Sequence, residues 1–259
     1  MKLSASILLI AGLALTGCSS AAPSTDAPAK TEQQASPTAG PLTQENFAER
    51  ISKAQLKAGS AHVSMAMPDG TGTTEGSIQI SEDPSKISGQ MTMTLPTGSA
   101  EVRIVDGNMY MNMGELSQNK FIDLSQTPMK DQVNASISQM NPEAQLQSFT
   151  NAIETFKAEP GTEQIDGVDV TKVTLVLNTQ KLLESNVTLK EQAGAVADSL
   201  GETMEYVMYI GADDLPRRIT TPSVAGGVGL NMDYSAWGEK VSIAAPSADE
   251  LIDPSVLGM

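Results

Sequence analysis

Cysteine is almost missing from this chain. Its single copy, Cys18, lies near the N-terminus, so no disulfide can form within one molecule and the body of the chain has no thiol nucleophile. Histidine is just as scarce, with His62 alone, and no Gly-x-Ser-x-Gly turn presents a serine. These gaps leave hydrolytic chemistry without its usual nucleophile and base, and the expectation is a non-enzyme with no cofactor. Aromatic residues are only 3% of the sequence and Trp237 is the one tryptophan, which argues against a sugar cleft built on stacked rings. Positive charge is short too, with 16 basic residues against 31 acidic and a net charge of -15. Such a surface repels phosphate backbones, no basic patch offsets it, and nucleic acid is not expected as a partner. Gly226-Gly227-Val228-Gly229 lacks the Gly-Lys-Ser/Thr ending of a phosphate loop and reads as a turn.

What is present begins with the context of that one cysteine. Lys2 is followed by an apolar stretch from Leu3 to Leu15, and Leu15-Thr16-Gly17-Cys18 has the small residues that a lipoprotein signal peptidase needs before a cysteine. The stretch is too short to span the membrane, which takes about 20 apolar residues in a helix. Residues 1–17 are therefore expected to be a lipoprotein signal peptide. Cleavage would leave Cys18 acylated at the extracytoplasmic face of the cell membrane. From Ser19 to Pro41 the chain is Ser, Ala, Pro, Thr and Gln with scattered charges. A segment of that composition cannot bury a core, so residues 18–41 read as a lipidated disordered tether with a reach on the order of 25 to 30 Å. Residues 42–259 are then the folded domain, long enough for one large core.

Periodicity organises that domain. Thr43 is a candidate cap with Leu42 stapled to Phe47, and Phe47, Ile51, Ala54 and Ala58 recur at helical spacing before Gly59. The period then drops to two. Val63, Met65 and Met67 share a phase, as do Ile78 and Ile80, Met91 and Met93, Val102 and Ile104, and Met109, Met111 and Met113, with Asp69-Gly70 and Asp106-Gly107 as turns. This spacing predicts an antiparallel meander with one apolar face. Helical signals return at Val133 and Ile137, and again after Asn141-Pro142, where Leu146, Phe149, Ile153 and Phe156 predict a stripe that ends at Pro160-Gly161. A hairpin at Asp166-Gly167 leads into a strand with Val173 and Leu175. Two helical pieces are expected between Thr179 and Gly201, the second opened by a Thr188-x-x-Glu191 box. Strands with Met204 to Ile210, Arg217 to Ile219, Leu230 to Tyr234 and Val241 with Ile243 are expected to close the chain.

The strand methionines admit three readings. Each Met-x-Met pair puts its thioethers on one face about 7 Å apart, which suits an ordinary core, the lining of an acyl-binding cavity, or soft ligands for Cu(I). Copper lacks partners here, because His62 alternates with Met65 and should face the other way, and Cys18 is committed to lipid.

The order of elements, with Gly107-Asn108-Met109-Tyr110-Met111, Phe121-Ile122-Asp123-Leu124, Gln164-Ile165-Asp166-Gly167-Val168, Leu215-Pro216-Arg217-Arg218 and Val241-Ser242-Ile243-Ala244-Ala245-Pro246, resembles actinobacterial cell-envelope lipoproteins of the LppX/LprG type. That group is related in architecture to the LolA and LolB carriers, and the likeness runs from about Leu42 to Asp253. Phe121 stands where a tryptophan is often seen. The resemblance implies an α+β fold in which a strongly curved antiparallel sheet, a half-barrel, has helices covering its concave face around an apolar cavity. It also implies an acylated lipid or glycolipid as ligand, with an export transporter as a further partner. The cavity would be lined by Met65, Met67, Ile78, Ile80, Met91, Met93, Val102, Ile104, Met109, Met111, Met113, Val173 and Leu175. The competing expectation is an envelope interaction or sensing module with a packed core.

Overall fold

The computed structural model describes residues 40–66, 72–138, 140–185, 190, 194, 200–220 and 230–257. The expected signal peptide, Cys18, nearly all of the tether, Met67, the Asp69-Gly70 turn, the Thr188-x-x-Glu191 box and residues 226–229 lie outside them. Helix α1 (Phe47–Ala58) leads into a meander of β1 (Ser60–Ala66), β2 (Thr73–Gln79), β3 (Ser88–Leu95), β4 (Gly98–Val105), β5 (Asn108–Asn112) and β6 (Phe121–Asp123). Helices α2 (Lys130–Ser138) and α3 (Pro142–Thr150) follow. A second meander comprises β7 (Ile153–Ile165), β8 (Val168–Asn178), β9 (Thr203–Gly211), β10 (Pro216–Thr220) and β11 (Asn231–Ser235), with α4 (Thr179–Ser185) after β8 and a short β12 (Leu251–Ile252) at the end.

All of these strands form one sheet, in the order β12-β6-β5-β4-β3-β2-β1-β11-β10-β9-β8-β7. The meanders meet where β1 pairs with β11, so the chain must pass from one side of the sheet to the other between β6 and β7. Helices α2 and α3 make that passage over the concave face. The fold is the expected α+β half-barrel, with one departure: β12 pairs with β6 in parallel, so the sheet is mixed.

Local chemistry explains the tight turns. Val105 pairs with Asn108 and Ile165 with Val168, leaving Asp106-Gly107 and Asp166-Gly167 as two-residue loops. All four residues have positive φ, between 50° and 77°, as a type I′ turn requires, and that turn matches the twist of its strands. Elsewhere the expectations need correction. Helix α1 starts at Phe47 behind Asn46, whose side chain accepts from the Thr43 amide, so Thr43 belongs to the preceding turn and does not cap. Leu42 nonetheless packs on the cluster that holds Phe47.

The predicted helix through Phe156 ends at Thr150, and Ile153 to Ile165 is an edge strand. Ile153 and Phe156 are three apart and would face opposite sides of a regular strand. A bulge between Ile153 and Thr155 returns both to the core face and so mimics helical spacing. Pro160 sits at a second bulge on this edge, where its missing N–H costs no ladder bond. Val241 and Ile243 form no strand. Strand β11 is already paired on both sides, so the chain after it crosses the outer face until β12 reaches β6.

Two clusters fill the concave side. Under α1 and α3, Phe47, Ile51 and Leu146 pack on Val173, Leu175, Leu177, Met204, Met208 and Ile210, each large side chain contributing about 1.5 to 3 kcal/mol by burial. At the other end Val133 and Ile137 of α2 pack on Ile104, Ile122 and Leu124. Arg50 ties α1 to the β9–β10 turn by donating through Nε and a terminal nitrogen to both oxygens of Asp214, at 3.1 and 2.6 Å, the paired geometry that makes guanidinium–carboxylate bonds strong.

Candidate functional site

Between the two clusters lies an apolar cavity of about 210 Å³. Its floor comes from consecutive rungs of the central strands. Tyr234, Val63, Gly76, Met91 and Val102 are successive cross-strand partners, and Ile78, Gly89 and Ile104 form the next rung. The roof is Gln55 of α1 with Met140 and Pro142 from the α2–α3 junction, and Met232, Trp237 and Ile80 complete the wall. The position follows from the topology. Helices α1 and α3 cover one end of the sheet and α2 the other, so only their junction spans the middle. Gly89, buried and without a side chain, removes the group that would otherwise fill this space: a Cβ there would meet only Ile78 Cγ2 at 3.8 Å and the Ser77 carbonyl at 3.9 Å. Gly76 does a different job. A Cβ on it would fall 2.0 Å from the Gln90 carbonyl oxygen, so this glycine permits close approach of β2 to β3.

Of the residues expected from the sequence, Ile78, Ile80, Met91, Val102 and Ile104 border the cavity. The others do not. Val173 and Leu175 are 0% exposed in solid packing under α1 and α3. Met109, Met111 and Met113 pack against the cluster under α2. Met65 and Met93 share the concave face but lie one rung along, on either side of Thr74, and Met67 is outside the described residues. Sequence reasoning missed Gln55, Val63, Gly89, Met140, Pro142, Met232, Tyr234 and Trp237 as wall residues. Val63 shares the phase of Met65 and was within reach of the pattern, whereas Met232 and Tyr234 arrive only through the long-range pairing of β11 with β1.

Polar groups in the wall are few. Tyr234 stacks on Trp237, with centroids 5.7 Å apart and planes at 16°, and Trp237 Nε1 donates to the Pro216 carbonyl at 2.8 Å. The Tyr234 hydroxyl donates to Met232 Sδ at 2.9 Å, and burial pushes its pKa up to about 12. A larger, mostly polar cleft of about 440 Å³ lies on the outer face beneath the segment after β11 and includes His62, Glu75, Gln90, Glu239 and Lys240. Its mixed charges offer no continuous apolar wall, so the smaller cavity is the better candidate for an acyl chain. His62 lies on this outer face, away from Met65, as alternation requires.

Residues 47–210, from the start of α1 to β9, match a protein family described as a family of unknown function, DUF6612. The chain belongs to that family. The match takes in most of the cavity wall but ends before Met232, Tyr234 and Trp237. No curated protein matches the sequence. Among solved structures, the chain is similar to LprF from Mycobacterium bovis, with a TM-score of 0.54 at 13% identity over 81% of this chain and 100% of that one. It is also similar to the lipoprotein LppX of Mycobacterium tuberculosis, with a TM-score of 0.51 at 16% identity over 78% and 100%. At these identities the likeness concerns the fold, which is the LppX/LprG-type half-barrel.

Proposed function

We propose that this DUF6612 protein is a lipid-anchored component of the cell envelope that binds an acylated lipid or lipoglycan in the cavity at mid-sheet. The observation that carries the reading is an apolar pocket, partly open to solvent, between two well-packed clusters on the concave face. Concave, mostly apolar pockets with few polar groups are the usual form of a small-molecule site. The fold shared with LppX, itself described as a lipoprotein, and the Leu15-Thr16-Gly17-Cys18 motif support it. Acylation of Cys18 would hold the domain at the extracytoplasmic face, and no helix among the described residues is long and apolar enough to cross a membrane. Handing the ligand to or from an export transporter is the further step this reading implies.

At about 210 Å³ the cavity is below the range of roughly 300 to 1,000 Å³ usual for small-molecule sites. It has room for part of one chain, the remainder lying along the helix junction. The same small size favours a second reading, an envelope interaction or sensing module whose partner binds the acidic exterior; copper binding by methionine is the weaker alternative. Purification from the native host envelope followed by mass spectrometry separates these readings. Lipid should accompany the wild type and be lost from Gly89→Phe, whose ring would occupy the void. A wild type that carries no lipid favours the interaction module.

A further inference from the structure

The concave face carries a row of thioethers beside hydroxyls that have no good acceptor. Met232, Met65, Thr74 and Met93 are successive cross-strand partners on β11, β1, β2 and β3. Direct partners of this kind hold their Cβ atoms about 4.5 to 5.5 Å apart. Thr74 is 6% exposed and its Oγ1 has no hydrogen-bond partner among the described residues, although a methionine flanks it on either side. At the far end of the row the Tyr234 hydroxyl donates to Met232 Sδ at 2.9 Å, and a thioether is a weak acceptor. A hydroxyl left in this state away from water costs stability. Met65, Met93 and Met232 are themselves only half-buried. Met232 also borders the partly open pocket, so small solutes have access to that end of the row.

We infer that this row is a methionine-oxidation site, whatever guest the pocket takes: a peroxide converts Met232 and one of the two neighbours of Thr74 to sulfoxides, and the fold keeps them. In that step a sulfur lone pair attacks one peroxide oxygen, the O–O bond breaks as the S–O bond forms, and the other oxygen leaves as water with both peroxide protons. Sulfur gives up two electrons and the peroxide takes them. A sulfoxide ordinarily disrupts a core, because it puts a polar oxygen among apolar side chains. Here that oxygen meets donors. At Met232 it is a strong acceptor for the Tyr234 hydroxyl. At Met65 or Met93 it stands one bond further out than the sulfur and supplies the acceptor that Thr74 lacks. Met109 and Met111 form the contrast, since they pack against Ile104, Ile122, Leu124, Val133 and Ile137, whose side chains offer no donor.

The test is limited oxidation of the purified protein with hydrogen peroxide, so that most molecules carry no more than a single sulfoxide, followed by incubation at the urea midpoint and a brief pulse of protease that removes unfolded chains. Peptide mass spectrometry before and after the pulse gives, for each methionine, the folded-to-unfolded ratio of the molecules oxidised there. Sulfoxides at Met232 and at Met65 or Met93 should survive at least as well as unoxidised protein, and those at Met109 and Met111 should be depleted. Tyr234→Phe and Thr74→Val each remove a hydroxyl and keep the shape of the side chain, and each is compared with its own unoxidised form at its own midpoint. Tyr234→Phe should lower the ratio for the Met232 sulfoxide about fivefold, the scale of one hydrogen bond, without changing that for Met65 or Met93. Thr74→Val should do the reverse. The inference is overturned if peroxide spares all of Met65, Met93 and Met232, if their sulfoxides are depleted as strongly as that of Met111, or if either variant leaves the survival of its neighbouring sulfoxide unchanged.

Discussion

Two glycines of the central strands show how a single position can be closed or open. Gly76→Ala should destabilise by more than about 2 kcal/mol, because its Cβ would sit 2.0 Å from the Gln90 carbonyl and force β2 away from β3. Gly89→Ala, whose Cβ would meet atoms only at 3.8 Å and beyond, should be neutral or stabilising by up to about 1 kcal/mol through reduced freedom of the unfolded chain. Urea unfolding of the two variants beside wild type measures both. Tyr234 gives a pH signature. Its folded pKa, raised by burial from 10.0 to about 12, means that the folded state holds a proton the unfolded state has released. The associated stability is complete below pH 10 and is lost as pH rises to about 12. Thermal melts should therefore fall more steeply over that window in wild type than in Tyr234→Phe. A parallel decline in both would place the phenol in water.

At the level of elements, the hairpins are specified by their turns and the cavity by helix placement. Gly107 and Gly167 have φ of 74° and 77°, where any Cβ is strained, so Gly107→Ala or Gly167→Ala should each cost about 1 to 2 kcal/mol in urea unfolding. The methionines of β5 belong to packing. Met111→Ala should destabilise by about 2 kcal/mol or more through a new void under α2, while leaving lipid retention as in wild type, measured by mass spectrometry on the purified variant. Loss of lipid from this variant would extend the cavity to β5. The stripe through Leu146, Phe149, Ile153 and Phe156 shows the limit of periodicity at this scale. Helix α3 and strand β7 serve the same core, and a bulge disguises the change from one to the other.

For the whole molecule, the net charge of -15 sets a self-repulsion that the compact state must bear. Raising salt from roughly 10 mM to 150 mM shortens the Debye length to about 8 Å, and the melting temperature should rise accordingly. Anchoring is a separate matter. Metabolic labelling with a fatty acid should mark wild type and not Cys18→Ala, and a chain lacking residues 1–39 should still unfold cooperatively. The cut falls at residue 39 because Gly40 and Pro41 already contact the domain, their carbonyls accepting from Arg50 and Asn46. The I′ turns of Asp106-Gly107 and Asp166-Gly167, the strand phases and the apolar face were all legible in the sequence, since each depends on neighbours within a few residues. Which part of that face is covered, filled or empty was not. That was decided by the pairing of β1 with β11, by the path of α2 and α3 across the sheet, and by the missing side chain of Gly89, because a local period states which way a side chain points and only distant segments determine what it meets.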